Sequence, residues 1–149
     1  MRDYKRLTGQ KWSKDIDLSQ ELGYSYIYKR LYELEDKIEN GTLAELSFKT
    51  GTKVYIAGKI SGDERYADKF NQAADYLRAH GYTVISPAIL PMGLGRSDYM
   101  RICFAMIDSC DIVVALPDAK YSEGAEVEIV YCDYIKKPVV TYESIIKNK

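Results

Sequence analysis

The residues with most chemical potential lie in one stretch, Asp118-Ala119-Lys120-Tyr121-Ser122-Glu123-Gly124-Ala125-Glu126-Val127-Glu128, which puts four carboxylates within eleven positions. Glu126 and Glu128 are two apart and cannot share a face of a helix. If a helix opens near Gly124, Glu128 falls in its first turn or just past it, where the helix dipole favours the charged carboxylate. A carboxylate kept ionised suits a nucleophile better than an acid. The same electrostatics gather acidic residues at helix N-termini that bind nothing. Spacing alone therefore leaves Glu128 between a dipole-stabilised helix residue and a reactive one. A second stretch, Gly58-Lys59-Ile60-Ser61-Gly62-Asp63, has two glycines that let backbone N–H groups approach an anion, with Lys59 beside them and a helix following. Its spacing is neither that of a P-loop nor that of the dinucleotide fingerprint. Paired glycines at a strand-to-helix turn also arise for steric reasons.

Other chemistries are poorly provided for. The three cysteines, Cys103, Cys110 and Cys132, form no CxxC pair, and His80 is the one histidine. A zinc site needs about four such ligands close together, so the cysteines are expected to pack as small reduced hydrophobes. No run of Asp and Glu has calcium-ligand spacing. No metal and no cofactor are expected. A formal net charge of −1 gives no field for gathering polymeric nucleic acid, so an anionic ligand must be held by a local site. No apolar run approaches the roughly 18 residues needed to span a bilayer, and the first residues lack the apolar centre of a secretory signal. The expectation is a cytosolic protein with no membrane contact.

The elements that must position these residues follow from periodicity. With 149 residues, 46% hydrophobic and 29% charged, the chain suits one compact domain plus an appendage. Residues 1–50 differ in character from the rest. Asp15–Gly23 is short and polar, and Tyr24–Glu39 is expected to form a helix with Ile27, Leu31, Leu34 and Ile38 on one stripe and Tyr24, Tyr28 and Tyr32 beside it. A lone helix of that length is marginal, so its stripe must pack on the main domain or on a copy of itself.

From residue 51 to 149 the pattern alternates. Strands are expected at Val54–Ala57, Tyr82–Ser86, Asp111–Leu116 and Pro138–Thr141. Helices are expected at Arg65–His80, from Ser97 or Asp98 to Ser109, at Ala125–Ile135, and briefly after Glu143. Gly81 sits where a helix C′ glycine belongs. Such alternation implies an α/β fold, three-layered and Rossmann- or flavodoxin-like, with a parallel sheet of four to five strands and Val54–Ala57 beside Asp111–Leu116 at its centre. Ligands of such sheets bind beyond the carboxyl ends of the strands, near the switch in strand order. Three loops meet that description: Gly58–Glu64, Pro87–Ser97 and Pro117–Gly124.

The strings VYIAGKISGD, FNQAADYLRAHGYTVISP, DIVVALPD, SEGAEVE and KKPVV, in that order between Lys53 and Tyr142, resemble the nucleoside 2-deoxyribosyltransferase-like superfamily, and within it a poorly characterised branch of phages and prophages. The resemblance implies an enzyme that cleaves or transfers at the N-glycosidic bond of a nucleoside or nucleotide. A glutamate attacks the anomeric carbon, the base leaves, and the glycosyl group passes to another base or to water. Ser122, Gly124 and Glu128 match the family's element around that nucleophile, with Ala125 adjoining. A serine at position 122 is the choice of relatives that bind phosphate there. Tyr55, Gly58, Lys59, Ile60, Ser61 and Gly62 match the first-strand motif that lines the sugar and base, and Pro87 lies on the same rim. The leaving base needs an acid, for which Asp118 and Asp98 are the rim carboxyls, Asp118 being preferred as it shares a loop with Glu128. The resemblance implies a homo-oligomer in a bacterial or phage-infected cytosol. Glu126, and the Ile129-Val130-Tyr131 run after the nucleophile, depart from the family pattern. They keep open a non-catalytic phage protein that sequesters a nucleotide signal, and the Ile27–Ile38 stripe keeps open an assembly module.

Overall fold

The computed structural model describes residues 49–147. The helix expected over Tyr24–Glu39 and the polar stretch before it lie outside the described residues. Within them the chain alternates strand and helix: β1 (Lys53–Ala57), α1 (Tyr66–Ala79), β2 (Thr83–Ile85), α2 (Arg96–Asp108), β3 (Ile112–Ala115), α3 (Glu123–Tyr134), β4 (Val139–Thr141) and α4 (Tyr142–Lys147). Short 3-10 turns at Pro87–Ile89 and Ala119–Tyr121 follow β2 and β3.

All four strands pair in parallel in the order β2-β1-β3-β4. Parallel strands covered by helices on both faces must be apolar on both. Every residue of β3 is buried, as is all of β1 after Lys53. Alternation along β1 divides the core in two. Tyr55 and Ala57 face one cluster with Cys103 and Ile107 of α2 and Ala125, Ile129 and Cys132 of α3. Val54 and Ile56 face the other, with Phe70, Ala73, Ala74 and Leu77 of α1 and Ile145 of α4. The result is the expected three-layer arrangement, with β1 and β3 adjacent at the centre.

The ends of α1 illustrate how sequence sets the boundaries. Gly81 takes a left-handed φ of 86°, its N–H donates to Arg78 O, and the Tyr82 N–H donates to Leu77 O. That is the paired C-terminal bonding that favours glycine at C′. The start of α2 differs from expectation. It begins at Arg96 after Gly95, which makes no side-chain cap, so neither Ser97 nor Asp98 is the capping residue.

The order of the strands locates the crevice. From β1 the chain moves outward to β2, then returns across the sheet to β3, so the switch falls between β1 and β3. Two loops flank it: residues 58–65 after β1 and 116–122 after β3.

Candidate active site

The helix carrying Glu128 starts earlier than its sequence suggests. Ser122 is the N-cap of α3, and its hydroxyl accepts the Ala125 N–H at 3.2 Å. Glu128 is consequently the sixth helical residue, beyond the first turn in which the dipole acts strongly. Its side chain points inward. Ala125, Glu128, Ile129 and Cys132 are the buried residues of α3, at steps of three, one and three, so a carboxylate occupies a position of the apolar stripe. It is 5% exposed, and no other Asp or Glu among the described residues is buried.

The sheet supplies its partner. Tyr55, in the middle of β1 and fully buried, donates its hydroxyl to Glu128 Oε1 at 2.8 Å. Burial pushes the Glu128 carboxyl up to about 7, while hydrogen bonds from Tyr55 and from Cys103 of α2 pull the other way. The expectation that the dipole keeps Glu128 ionised is thereby corrected: desolvation outweighs it. Burial raises the Tyr55 phenol well above its ordinary value and the Cys103 thiol to about 11, so both remain protonated donors. A carboxyl balanced near neutrality, oriented by a phenol, can attack an electrophilic carbon when ionised and can hold a proton when neutral.

The first loop is built for close approach. A Cβ on Gly58 would meet Leu116 Cδ1 at 2.9 Å and Phe70 Cζ at 3.0 Å, so any side chain there would force its neighbours to shift. Lys59 and Ile60 are half-buried and Ser61 and Gly62 exposed. Asp63 N–H closes a turn on Ile60 O, with Gly62 at the position where a φ of 74° is required. Pro87 is buried at the start of its 3-10 turn, and Ala125 under α3. Gly124 is not sterically demanded, because a Cβ there would find its nearest neighbours at 3.8 Å.

Asp118 is where the structure departs most from the sequence reading. Its Oδ1 accepts the Lys59 N–H at 3.2 Å and its Oδ2 accepts the Lys69 ammonium. Those contacts lie on the α1 side of the sheet, beside Phe70 and Leu116, whereas Glu128 and Tyr55 lie on the α2–α3 side. Sharing a loop with the start of α3 does not bring Asp118 to Glu128, and its two oxygens are already bound. As a general acid it is poorly placed. The alternative, Asp98, is exposed and pairs with Arg101 at 3.0 Å.

Lys69 does not stand out in the sequence. It also donates to Asp63 Oδ2 at 2.6 Å and to Lys59 O at 2.8 Å. The signal it offers is local: a lysine in the first turn of a helix opposes the dipole and calls for carboxylate partners. Cys103 is equally inconspicuous, because a small residue on an apolar helix face carries no mark of its neighbours. Among the described residues no group of three or more His, Cys, Asp or Glu could hold a metal ion, and no helix is long and apolar enough to cross a membrane.

Residues 52–141, well over half the chain, match the family described as Domain of unknown function (DUF4406). The chain belongs to that family. No curated protein matches it. Among solved structures it is similar to a 2-deoxyribosyltransferase from the psychrotolerant bacterium Bacillus psychrosaccharolyticus, at 23% identity and a TM-score of 0.47, over 60% of this chain and 71% of that one. A likeness of that degree carries no inference about activity.

Proposed function

We propose that the protein cleaves or transfers at the N-glycosidic bond of a nucleoside or nucleotide, with Glu128 as nucleophile. The observation that carries this reading is the burial of Glu128 in the apolar stripe of α3 against the Tyr55 hydroxyl. Burying a carboxylate there costs stability, the pattern expected of a residue held for chemistry. The motif resemblance around Ser122, Gly124 and Glu128 points the same way.

In the proposed reaction a Glu128 oxygen forms a bond to the anomeric carbon. The C–N bond breaks with its electron pair going to the base nitrogen, which takes up a proton. Water or a second base then attacks the glycosyl ester and frees the carboxylate. Tyr55 orients the attacking oxygen and stabilises its charged form. No role as acid is given to Asp118 while Lys69 and Lys59 hold it. Ser61, Gly62 and Ser122 lie on the rim toward which a sugar or its phosphate would be presented. The ligand is a small molecule and the assembly a homo-oligomer; a single-chain mass by light scattering would contradict the latter.

The test is base release from a panel of nucleosides and nucleotides, comparing wild type with Glu128→Gln. Release by wild type alone supports the reading, and equal release by both defeats it. One observation favours a second reading, a nucleotide binder without turnover: Glu128 is only 5% exposed. Tight binding by both proteins with no released base would establish that alternative.

A further inference from the structure

We propose that the outer face of α3, formed by Val127, Val130 and Tyr134, is the docking surface for the chain's own segment Tyr24–Glu39. The helix is apolar on two opposite sides. Ala125, Ile129 and Cys132 face the sheet, while Val127, Val130 and Tyr134, at steps of three and four, point away from it and are 46%, 42% and 85% exposed. A helix apolar on opposite sides belongs between two layers, and the described residues supply only one. The other exposed large apolar side chains among them, such as Ile89, Met92 and Ile146, lie in turns or stand singly. In the sequence, Ile27, Leu31, Leu34 and Ile38 form the complementary stripe, with the same steps of four and three.

Charge and chain geometry select this occupant. Glu126 and Asp133, seven residues apart, each precede a member of the outer stripe, so both lie on one flank of it. Arg30 and Lys37, also seven apart, precede Leu31 and Ile38 in the same way. Two flanks of that kind meet when helices run antiparallel. The alignment that sets Glu126 beside Lys37 and Asp133 beside Arg30 also stacks Val127 on Leu34, Val130 on Leu31 and Tyr134 on Ile27. The chain enters the domain at the right end. Lys53 N–H donates to Asp111 Oδ2 at 2.8 Å and Lys137 Nζ to Cys110 O, which gathers the start of β1 and the exit from α3 at one edge. Residues 40–48 can extend about 30 Å, more than the roughly 18 Å length of α3, so the segment can return along the helix to reach β1. Docked so, it encloses the helix that carries Glu128, whatever reaction Glu128 performs.

Disulfide trapping in the full chain tests the contact, since Cys103, Cys110 and Cys132 are buried and do not compete. Leu31→Cys/Val130→Cys is expected to oxidise within one chain and to run as a monomer on a non-reducing gel. Leu31→Cys/Ile146→Cys should stay reduced, because α4 packs on the other face of the sheet. Hydrogen exchange supplies a second readout. Amides of residues 24–39 should be protected in the wild type and lose about tenfold in protection in Val130→Lys, the scale of one apolar side chain uncovered. Val130 is half-exposed, so the α/β domain itself should remain folded by circular dichroism. Glu126→Lys/Asp133→Lys should lower the protection severalfold, and adding Arg30→Glu/Lys37→Glu should restore it. No disulfide in Leu31→Cys/Val130→Cys, a disulfide formed between two chains, or exchange unchanged by Val130→Lys would overturn the proposal.

Discussion

Replacing Glu128 by glutamine should stabilise the protein in a pH-dependent way. In the unfolded chain the carboxyl titrates near its ordinary 4.5, and in the folded protein burial holds it at about 7. Below the lower value both states carry the proton and folding gains or loses nothing from it. Between the two the folded state binds more protons than the unfolded one, so stability falls as pH rises, and above about 7 the loss is complete. At about 1.4 kcal/mol per tenfold change in proton affinity, the full penalty is about 3 kcal/mol. The glutamine side chain would be neutral throughout and would still accept the Tyr55 hydroxyl. Its amide N–H2 replaces an oxygen and loses about 1 kcal/mol if unpaired, but that offset is the same at every pH. The quantity to measure is therefore the change with pH in the stability difference between variant and wild type. Urea unfolding of both proteins at about pH 5 and pH 8.5 should show the difference growing in favour of the variant by about 2.5 kcal/mol. A difference that stays constant across that range would refute the reasoning, because it would mean that Glu128 is solvated or compensated in the folded protein.

The neighbours of Glu128 and the rim glycines give further tests. Tyr55→Phe removes the donor at 2.8 Å, so the Glu128 carboxyl should rise further and the pH at which base release switches on should move upward, read from a rate profile; an unchanged profile would separate the two residues. The same variant should lose about 1 kcal/mol of stability. Gly58→Ala should cost about 1–3 kcal/mol by overpacking against Leu116 and Phe70, whereas Gly124→Ala, with 3.8 Å to spare, should melt within a degree or two of wild type. Ser122→Ala should cost about 1 kcal/mol through the lost cap on Ala125, and a larger loss would mean that Ser122 does more than cap.

Much of the fold was legible because parallel strands buried on both faces must be written as continuous apolar runs. Val54–Ala57 and Ile112–Ala115 are such runs, and Gly81 marks the end of α1 as a left-handed C′ residue should. The site was legible only in part. Glu128 stands two residues after Glu126 and five after Glu123, so spacing alone leaves it between a charge at a helix start and a reactive group. The signal for its burial is the stripe Ala125, Glu128, Ile129, Cys132, whose spacing puts the carboxylate in the core. The separation of Asp118 from Glu128 is a matter of which sheet face each loop residue meets, and no local pattern records it. Lys69 pairs with Asp63 six residues away and with Asp118 across 49, and the second pairing exists only once β1 and β3 lie side by side.

The central claim is that Glu128 forms a covalent bond to the sugar. Incubating the protein with 2-deoxy-2-fluoro nucleosides, in which the fluorine slows the second step by disfavouring the oxocarbenium-like transition state, should let the glycosyl-enzyme accumulate. Intact-mass measurement followed by peptide mapping should find the mass of one fluorinated glycosyl group on Glu128 of the wild type, and none on Glu128→Gln. Base release from ordinary nucleosides with no such adduct on Glu128, or an adduct mapped to another residue, would contradict the account.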